Sequence, residues 1–200
     1  LTASGGTTYI WSTTATTTTI NVNPIINTTY TVTADDGSGC TGTDEVVVTI
    51  NPLPTPNITD QTICADITAT FDAGVYTSYS WSSGETTQSI TKNTSNTYTV
   101  TVTDGNGCTG SDNPALTVNP LPVANAGPDV TICPGNNVNL NASGGDTYRW
   151  NTTTTTATIN VSPAITTTYS VTVTTVNSCT GTDEVVVTIG TSLTPSAGPD

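Results

Sequence analysis

Cysteine is the residue type whose spacing most clearly suggests chemistry in this 200-residue sequence, which has five cysteines and no histidine. Cys64 precedes Cys108 by nearly the same number of residues as Cys133 precedes Cys179. This spacing predicts two disulfides, Cys64–Cys108 and Cys133–Cys179, each stabilising by about 4 kcal/mol in the chain-entropy model. Cys40 matches the second member of each pair, so its partner would lie outside the sequence. Because disulfides persist outside the reducing cytosol, the pattern indicates an extracellular protein.

Acidic residues suggest two further kinds of chemistry, both weaker. Asp35, Asp36 and Asp104 lie in Gly-rich segments that resemble fragments of calcium loops, but such segments are also ordinary hairpin turns. Asp44-Glu45 and Asp183-Glu184 are adjacent pairs in predicted strands, so their carboxylates point to opposite faces and cannot act together on a glycosidic bond. Zinc is not expected without histidine or a CxxC pair. We therefore expect no enzyme and no cofactor, with calcium as the remaining alternative.

The elements that would position these residues repeat about every 70 residues. Leu1–Trp11 matches Leu140–Trp150, and TGTDEVVVTI occurs at both Thr41–Ile50 and Thr180–Ile189. A divergent middle copy lies between two NPLP segments. The predicted division is unit 1 (1–50, without its first strands), unit 2 (51–118), unit 3 (119–190), and a linker with the start of a further repeat (191–200).

The units are predicted to be all-β. Tyr98, Val100 and Val102 alternate with threonines, which is the period of a half-buried strand. Six or seven such strands per unit predict small immunoglobulin-like β-sandwiches arranged in tandem as an extended rod. Six aromatic residues fall at core positions, and the tyrosines are placed for a hydroxyl bond to nearby backbone: Trp11, Trp81, Trp150, Tyr30, Tyr98 and Tyr169.

Charge restricts the partners. The net charge is −13 with only two cations, which disfavours nucleic acid and anionic membrane surfaces. No apolar run approaches the roughly 18 residues of a membrane span, so no membrane insertion is expected. Glycans are candidate partners, because six N-x-S/T sequons are present, at Asn27, Asn57, Asn93, Asn141, Asn151 and Asn160.

Three phrases carry a family resemblance: AGPDVTICPG, ATINVSPAITTTYSVTV and YTVTVTDGNGCTGSD. They resemble the immunoglobulin- and PKD-like repeats of very large Bacteroidetes surface proteins of the gliding-motility adhesin type. The resemblance covers essentially the whole chain. It implies export by the type IX route and residence on the bacterial cell surface, as stalks or adhesive repeats.

The leading functional hypothesis is a structural segment of an extracellular fibre or adhesin stalk. Its partner would be the same protein, arranged head to tail as covalent repeats or as subunits that complete unit 1 by strand donation. The near-match between the end and the start of the sequence is compatible with such a periodic fibre. The alternatives are an adhesive or carbohydrate-binding module and a spacer attached to a secreted enzyme.

Overall fold

The computed structural model of the protein describes residues 1–191, which form seventeen β-strands and no helix. The strands follow the alternation of the sequence. In β16 (Thr167–Thr174), for example, Tyr169, Val171 and Val173 are buried between more exposed threonine and serine side chains. β-Branched threonine suits the outer face of a strand, because its side chain packs well on a pleated surface. The chain is thus a tandem array of small immunoglobulin-like β-sandwiches, as predicted.

Unit 3 has the most regular sandwich. Its strands are β12 (Val130–Ile132), β13 (Val138–Asn141), β14 (Thr147–Trp150), β15 (Thr158–Val161), β16 and β17 (Thr180–Ile189). One sheet has the order β12-β17-β16-β14, and the other pairs β13 with β15. β12 and β17 run parallel, whereas the remaining pairs are antiparallel. The first and last strands of the unit therefore point in the same direction.

Unit 2 repeats this arrangement in shorter pieces. Its strands are β4 (Gln61–Cys64), β5 (Ala69–Asp72), β6 (Ser78–Trp81), β7 (Ser89–Lys92), β8 (Asn96–Thr97), β9 (Val100–Thr103), β10 (Thr109–Asp112) and β11 (Ala115–Asn119). Pro114 divides what is one long strand in unit 3 into β10 and β11, because proline has no N–H to continue the ladder. Its carbonyl instead accepts a 2.9 Å hydrogen bond from the Tyr98 N–H. β4 pairs with β11 in parallel, as β12 does with β17.

Unit 1 contains three strands in one sheet, β1 (Thr8–Trp11), β2 (Thr28–Asp35) and β3 (Thr41–Val48). A single bridge between Thr2 and Thr19 stands where unit 3 has the pair β13–β15. In unit 3, β12 covers the outer edge of β17. The corresponding edge of β3 has no pairing strand among the described residues. One face of unit 1 is therefore open.

Each predicted unit contains its own hydrophobic cluster built around a tryptophan. Trp11, Trp81 and Trp150 are 3%, 3% and 1% exposed. Each indole N–H donates to a threonine carbonyl six residues later, at 2.9 to 3.1 Å. Burying a tryptophan while satisfying its N–H combines a large apolar contact with a paired polar group.

The three tyrosines predicted at core positions are buried, but they differ in hydrogen bonding. Tyr98 Oη donates to the Thr94 carbonyl at 2.8 Å, which is the expected bond to nearby backbone. Tyr30 and Tyr169 are 9% and 8% exposed, and within residues 1–191 their hydroxyl groups have no hydrogen-bond partner. The corner-like bond is therefore a feature of unit 2 alone in the described part of the chain.

Candidate assembly site at the unit junctions

The junction between units 2 and 3 is closed by a disulfide that sequence analysis did not predict. Cys64, at the end of β4, is bonded to Cys179, in the hairpin that precedes β17, with a Cα–Cα distance of 5.5 Å. Next to the bridge, Asn177 Nδ2 donates to Asn119 Oδ1 at 3.3 Å, which is a second contact between the same two units. Cys179 is completely buried.

The predicted pairs Cys64–Cys108 and Cys133–Cys179 are therefore wrong, and strand direction is the reason. Because β4 runs parallel to β11, Cys64 lies beside Asn119, at the end of the unit where the chain leaves it. Cys108 precedes β10, at the opposite end, about 36 Å away along the strand direction. Cysteines in a disulfide need Cα atoms roughly 5.5 Å apart. The hairpin cysteine that lies next to Cys64 is therefore Cys179 of the neighbouring unit.

Linker carbonyls pack against glycines at both junctions. A Cβ atom on Gly110 would lie 1.8 Å from the Pro54 carbonyl oxygen, and one on Gly181 would lie 2.3 Å from that of Pro122. No side chain fits at these distances, so glycine is required there. Each linker therefore packs against the start of a strand in the unit that follows it, β10 in unit 2 and β17 in unit 3.

Aspartates hold the segment that leads into each complete unit. In unit 3 the Ala126 N–H donates to Asp183 Oδ2, and the Val186 N–H donates to Asp129 Oδ1, both at 2.8 Å. The two bonds cross in opposite directions between the leading segment and the last strand. Asp183 on the last strand accepts from the leading segment, and Asp129 in the leading segment accepts from the last strand. Bonds from N–H groups to charged acceptors are stronger than neutral ones.

Unit 2 repeats this exchange in the same positions. The Ile58 N–H donates to Asp112 Oδ2 at 2.6 Å, and the Ala115 N–H donates to Asp60 Oδ1 at 2.8 Å. Of these four aspartates only Asp183 was considered from sequence, and only for catalysis, so this role was missed. The signal was present, because an aspartate recurs at the same place in every copy.

The open face of unit 1 forms a groove of about 540 Å³. Its walls include Leu1, Ser4, Trp11, Asp44 and Val46, and we call it the unit 1 groove. Val46 is 39% exposed, whereas its match in unit 3, Val185, is fully buried. The groove occupies the place that the leading segment and first strand occupy in units 2 and 3.

The remaining cysteines lie at positions that correspond to the bonded pair. Cys40 and Cys108 match Cys179 as hairpin cysteines, and Cys133 matches Cys64 as a first-strand cysteine. Within the described residues none of the three forms a disulfide, and Cys40 and Cys133 are exposed.

The aspartates considered as calcium ligands, Asp35, Asp36 and Asp104, accept hydrogen bonds within their own turns. Asp36 Oδ1 accepts from the Ser38 N–H and hydroxyl at 2.8 and 2.7 Å, and these bonds from Ser38 lower the pKa of Asp36. Asp35 Oδ1 accepts from the Gly37 N–H, and Asp104 Oδ1 accepts from the backbone N–H groups of two residues in its turn. No group of three cysteine or acidic side chains that could hold a metal occurs within residues 1–191. These segments therefore act as turns closed by their own carboxylates.

One ion pair stands apart from the junctions, within unit 2. Lys92 Nζ donates to Glu85 Oε1, and the ammonium group lies 5.4 Å from the centre of the Tyr98 ring. The hydrogen bond from Lys92, with others from Ser83 and backbone, lowers the pKa of Glu85 to about 2.

The six predicted sequon asparagines are all exposed. Some already use their amide groups: Asn27 Oδ1 accepts from the Ile50 N–H at 2.7 Å, and Asn160 Nδ2 donates to Asn139 Oδ1 at 2.7 Å. Asn57 lies in the linker between units 1 and 2. A glycan on any of the six would extend into solvent.

Comparison with known proteins gives likeness in structure alone. No protein-family model and no curated protein matches the chain. The three N-terminal domains of the highly immunogenic outer capsid protein of bacteriophage RB49 are 18% identical with a TM-score of 0.45, covering 94% of this chain and 89% of that one. Three immunoglobulin domains of titin are 12% identical with a TM-score of 0.39, over 82% and 75% of the two chains. A bacterial ice-binding adhesin of 1.5 MDa is 16% identical with a TM-score of 0.32, over 81% and 74%.

In the described part of the chain, no helix is long and apolar enough to cross a membrane.

Proposed function

We propose that this chain is a non-catalytic structural segment of an extracellular bacterial fibre or adhesin stalk. The observation that carries the proposal is the Cys64–Cys179 bridge, which joins consecutive units instead of closing one. A bridge inside a unit would stabilise that unit alone, whereas a bridge between units fixes their relative position. A rod that carries tension needs this property.

The linkers support the same role. The proline carbonyls lie directly against Gly110 and Gly181, so each linker packs closely on the unit that follows it. Proline also fixes its own φ angle, so an NPLP linker has few conformations to explore. Stiff linkers and a covalent bridge together make a series of β-sandwiches behave as a rod.

The cellular setting comes from the resemblance to Bacteroidetes surface repeats, which implies export by the type IX route. Disulfides persist in oxidising environments and are rare in the reducing cytosol. The net charge of −13 keeps a long repetitive fibre soluble, and the exposed sequons provide sites for surface glycans. Peptide mapping of native material without reduction tests this setting through a linked Cys64–Cys179 peptide and sugar mass on the asparagine peptides.

A sugar-binding module based on the tryptophans receives no support from the fold. All three are at most 3% exposed, so none presents a ring to a sugar. Stacking platforms require an exposed aromatic face.

Small-angle scattering of the 200-residue chain tests the rod. Three sandwiches end to end, each about 34 Å long, give a length of roughly 100 Å and a radius of gyration of about 30 Å. A compact 200-residue domain would instead have a radius of gyration of about 16 Å. Cys64→Ser should broaden the distribution of lengths, while the control Cys108→Ser should leave it unchanged. A compact particle would refute the stalk role.

A further inference from the structure

Asn106 is the one asparagine of this sequence that precedes a glycine, Gly107. Several other asparagines precede proline, whose nitrogen carries no hydrogen, and the rest precede a residue with a side chain. Glycine leaves the following backbone nitrogen uncrowded and the chain around it free to turn. Asparagine is among the residues that are chemically labile over time. The pair is therefore the place in this chain where an asparagine amide is best able to react with its own backbone.

The pair lies in the hairpin 104–108, which joins β9 to β10. Asp104 Oδ1 accepts the N–H groups of Asn106 and Cys108, both at 2.8 Å. The Gly107 N–H donates to the Asp104 carbonyl at 3.2 Å, which is the long end of the range for such bonds. Of the three donors in the turn, the Gly107 nitrogen is thus held by the longest bond.

The side chain of Asn106 has room to approach that nitrogen. Asn106 is exposed, and within residues 1–191 its side-chain amide has no hydrogen-bond partner. Gly107 has a φ of 80°, and a Cβ atom placed on it would have no atom within 4 Å. Because the space around the pair is open, the Asn106 amide can rotate towards the Gly107 nitrogen.

The corresponding hairpin of unit 3 has the same backbone and a different pair. The Ser178 N–H donates to the Thr175 carbonyl, and the Thr175 N–H donates to the Cys179 carbonyl, both at 2.9 Å, as in unit 2. Asn177 stands in the place of Asn106, and Ser178 follows it with a φ of 63°. A serine in the left-handed region is uncommon, and unit 3 has one where unit 2 has a glycine.

Asn177 is restrained where Asn106 is not. Its Nδ2 donates to Asn119 Oδ1 at 3.3 Å across the junction of units 2 and 3. The side chain of Ser178 also crowds the backbone nitrogen that follows Asn177. Both differences lower the reactivity of Asn177, so one chain contains a reactive asparagine and its matched unreactive counterpart in the same turn.

We propose that Asn106 is a site of spontaneous deamidation, with water as the co-reactant. The Gly107 nitrogen attacks Cγ of Asn106 and gives its proton to water or hydroxide. A bond forms between these two atoms, the bond from Cγ to Nδ2 breaks, and Nδ2 leaves as ammonia. Water then opens the cyclic imide at either of its carbonyl groups. The product is an aspartate, or an isoaspartate in which the main chain runs through the former side-chain carbon.

Either product changes the hairpin. A new carboxylate enters a turn that already contains Asp104, and isoaspartate also lengthens the main chain, which shifts the Cys108 N–H relative to its acceptor. In unit 3 the same hairpin contacts the unit before it through Cys179 and Asn177. Deamidation of Asn106 therefore loosens the end of unit 2 that lies towards unit 1. This inference goes beyond the stalk role and does not depend on it.

The experiment incubates the folded 200-residue chain at mildly alkaline pH and maps its peptides over time. We expect the Asn106 peptide to convert into aspartate and isoaspartate forms, which electron-transfer fragmentation distinguishes. The rate should rise with hydroxide concentration, because the Gly107 nitrogen must lose its proton. In the same digest the Asn177 peptide should convert at least about tenfold more slowly, since a side chain crowds the nitrogen that follows it.

Gly107→Ser is the most discriminating variant. Ser178 already adopts the left-handed backbone at the matching position, so the turn is retained, and the Asn106 peptide should convert about as slowly as the Asn177 peptide. Gly105→Ala is the matched control, because it adds a Cβ atom in open space beside the pair and leaves the pair intact. Its Asn106 peptide should convert at the rate of the parent chain.

Hydrogen exchange provides a structural readout of the same reaction. Exchange of the Cys108 N–H should quicken in the converted fraction, while that of the Cys179 N–H stays unchanged. An Asn106 peptide that stays intact in the folded chain, under conditions in which the unfolded chain converts, would overturn the proposal. So would a Gly107→Ser chain that converts at the parent rate. Unchanged exchange at Cys108 would overturn the loosening of the hairpin. In each of these cases a radius of gyration near 30 Å would leave the stalk role intact.

Discussion

Reduction of the Cys64–Cys179 bridge should lengthen the fully stretched chain by about 400 Å. When the two ends are pulled, force passes from Cys64 directly to Cys179, and the residues between them carry no load. The bridged cysteines are 115 residues apart. At 3.3–3.6 Å per extended residue, the shielded segment accounts for about 400 Å.

The same bridge should also stabilise the chain against unfolding. Closing a loop of 115 residues removes unfolded-state entropy equivalent to about 5 kcal/mol in the chain-entropy model. Cys179→Ser should therefore lower the unfolding midpoint of the units that the bridge joins. Urea titration with a fluorescence readout of the buried tryptophans measures this change.

Optical tweezers measure the length directly, with and without a reducing agent. Cys108→Ser is the control and should leave both the contour length and the effect of reduction unchanged. Two shielded loops of about 45 residues, each hiding about 150 Å, would instead indicate bridges inside the units. That result, or a contour length indifferent to reduction, would refute the reasoning from strand direction.

Three further perturbations test individual contacts. Trp150→Ala should destabilise unit 3 by about 3–5 kcal/mol in urea unfolding, because it empties the centre of the core. Gly181→Ala should loosen the junction, because its Cβ would lie 2.3 Å from the Pro122 carbonyl oxygen; hydrogen exchange in the linker should rise. Lys92→Gln should raise the pKa of Glu85 from about 2 towards its usual value of 4.5, as followed by NMR titration of the carboxyl group. The parent ion pair therefore stabilises unit 2 above about pH 4.5, and that contribution is lost as the pH falls towards 2.

The first two of these perturbations have a matched control in the chain. Val176→Ala removes a side chain that is 82% exposed and should change stability by well under 1 kcal/mol. Gly105→Ala adds a Cβ in open space and should leave linker exchange unchanged. If Gly105→Ala and Gly181→Ala raised hydrogen exchange in the linker equally, the packing of the linker on Gly181 would be contradicted. An unchanged Glu85 titration in Lys92→Gln would contradict the ion pair as the cause of the lowered pKa.

Much of the fold was predictable because the sequence contains three related copies. Aligning the copies with one another identifies the equivalent positions. Trp11, Trp81 and Trp150 recur at matching positions, and the alternation around Val171 and Val173 identifies the buried face of a strand. Local signals of this kind depend on the period of the backbone and on residue size, both of which can be read along the chain. Pro114 also follows from local chemistry, as the point where the last strand of unit 2 must break.

The candidate site was less predictable, and Asp44 shows why. Its neighbour in sequence is Glu45, and the pair suggests nothing beyond a polar strand. Its role depends on matching Asp183, whose carboxylate binds the N–H of Ala126, a residue distant in the chain. Sequence similarity between copies relates Asp44 to Asp183, but only the contact shows what either residue does.

The repeat, the all-β units, their core residues and the positions of the cysteines can be read from the sequence. Which cysteines meet depends on the tertiary structure. Separation along the chain sets the size of a loop, but it does not set a distance in space. Because the first strand of unit 2 runs parallel to its last strand, Cys64 lies at the far end from Cys108 and beside the next unit. That direction of pairing turns a bridge within a unit into a bridge between units.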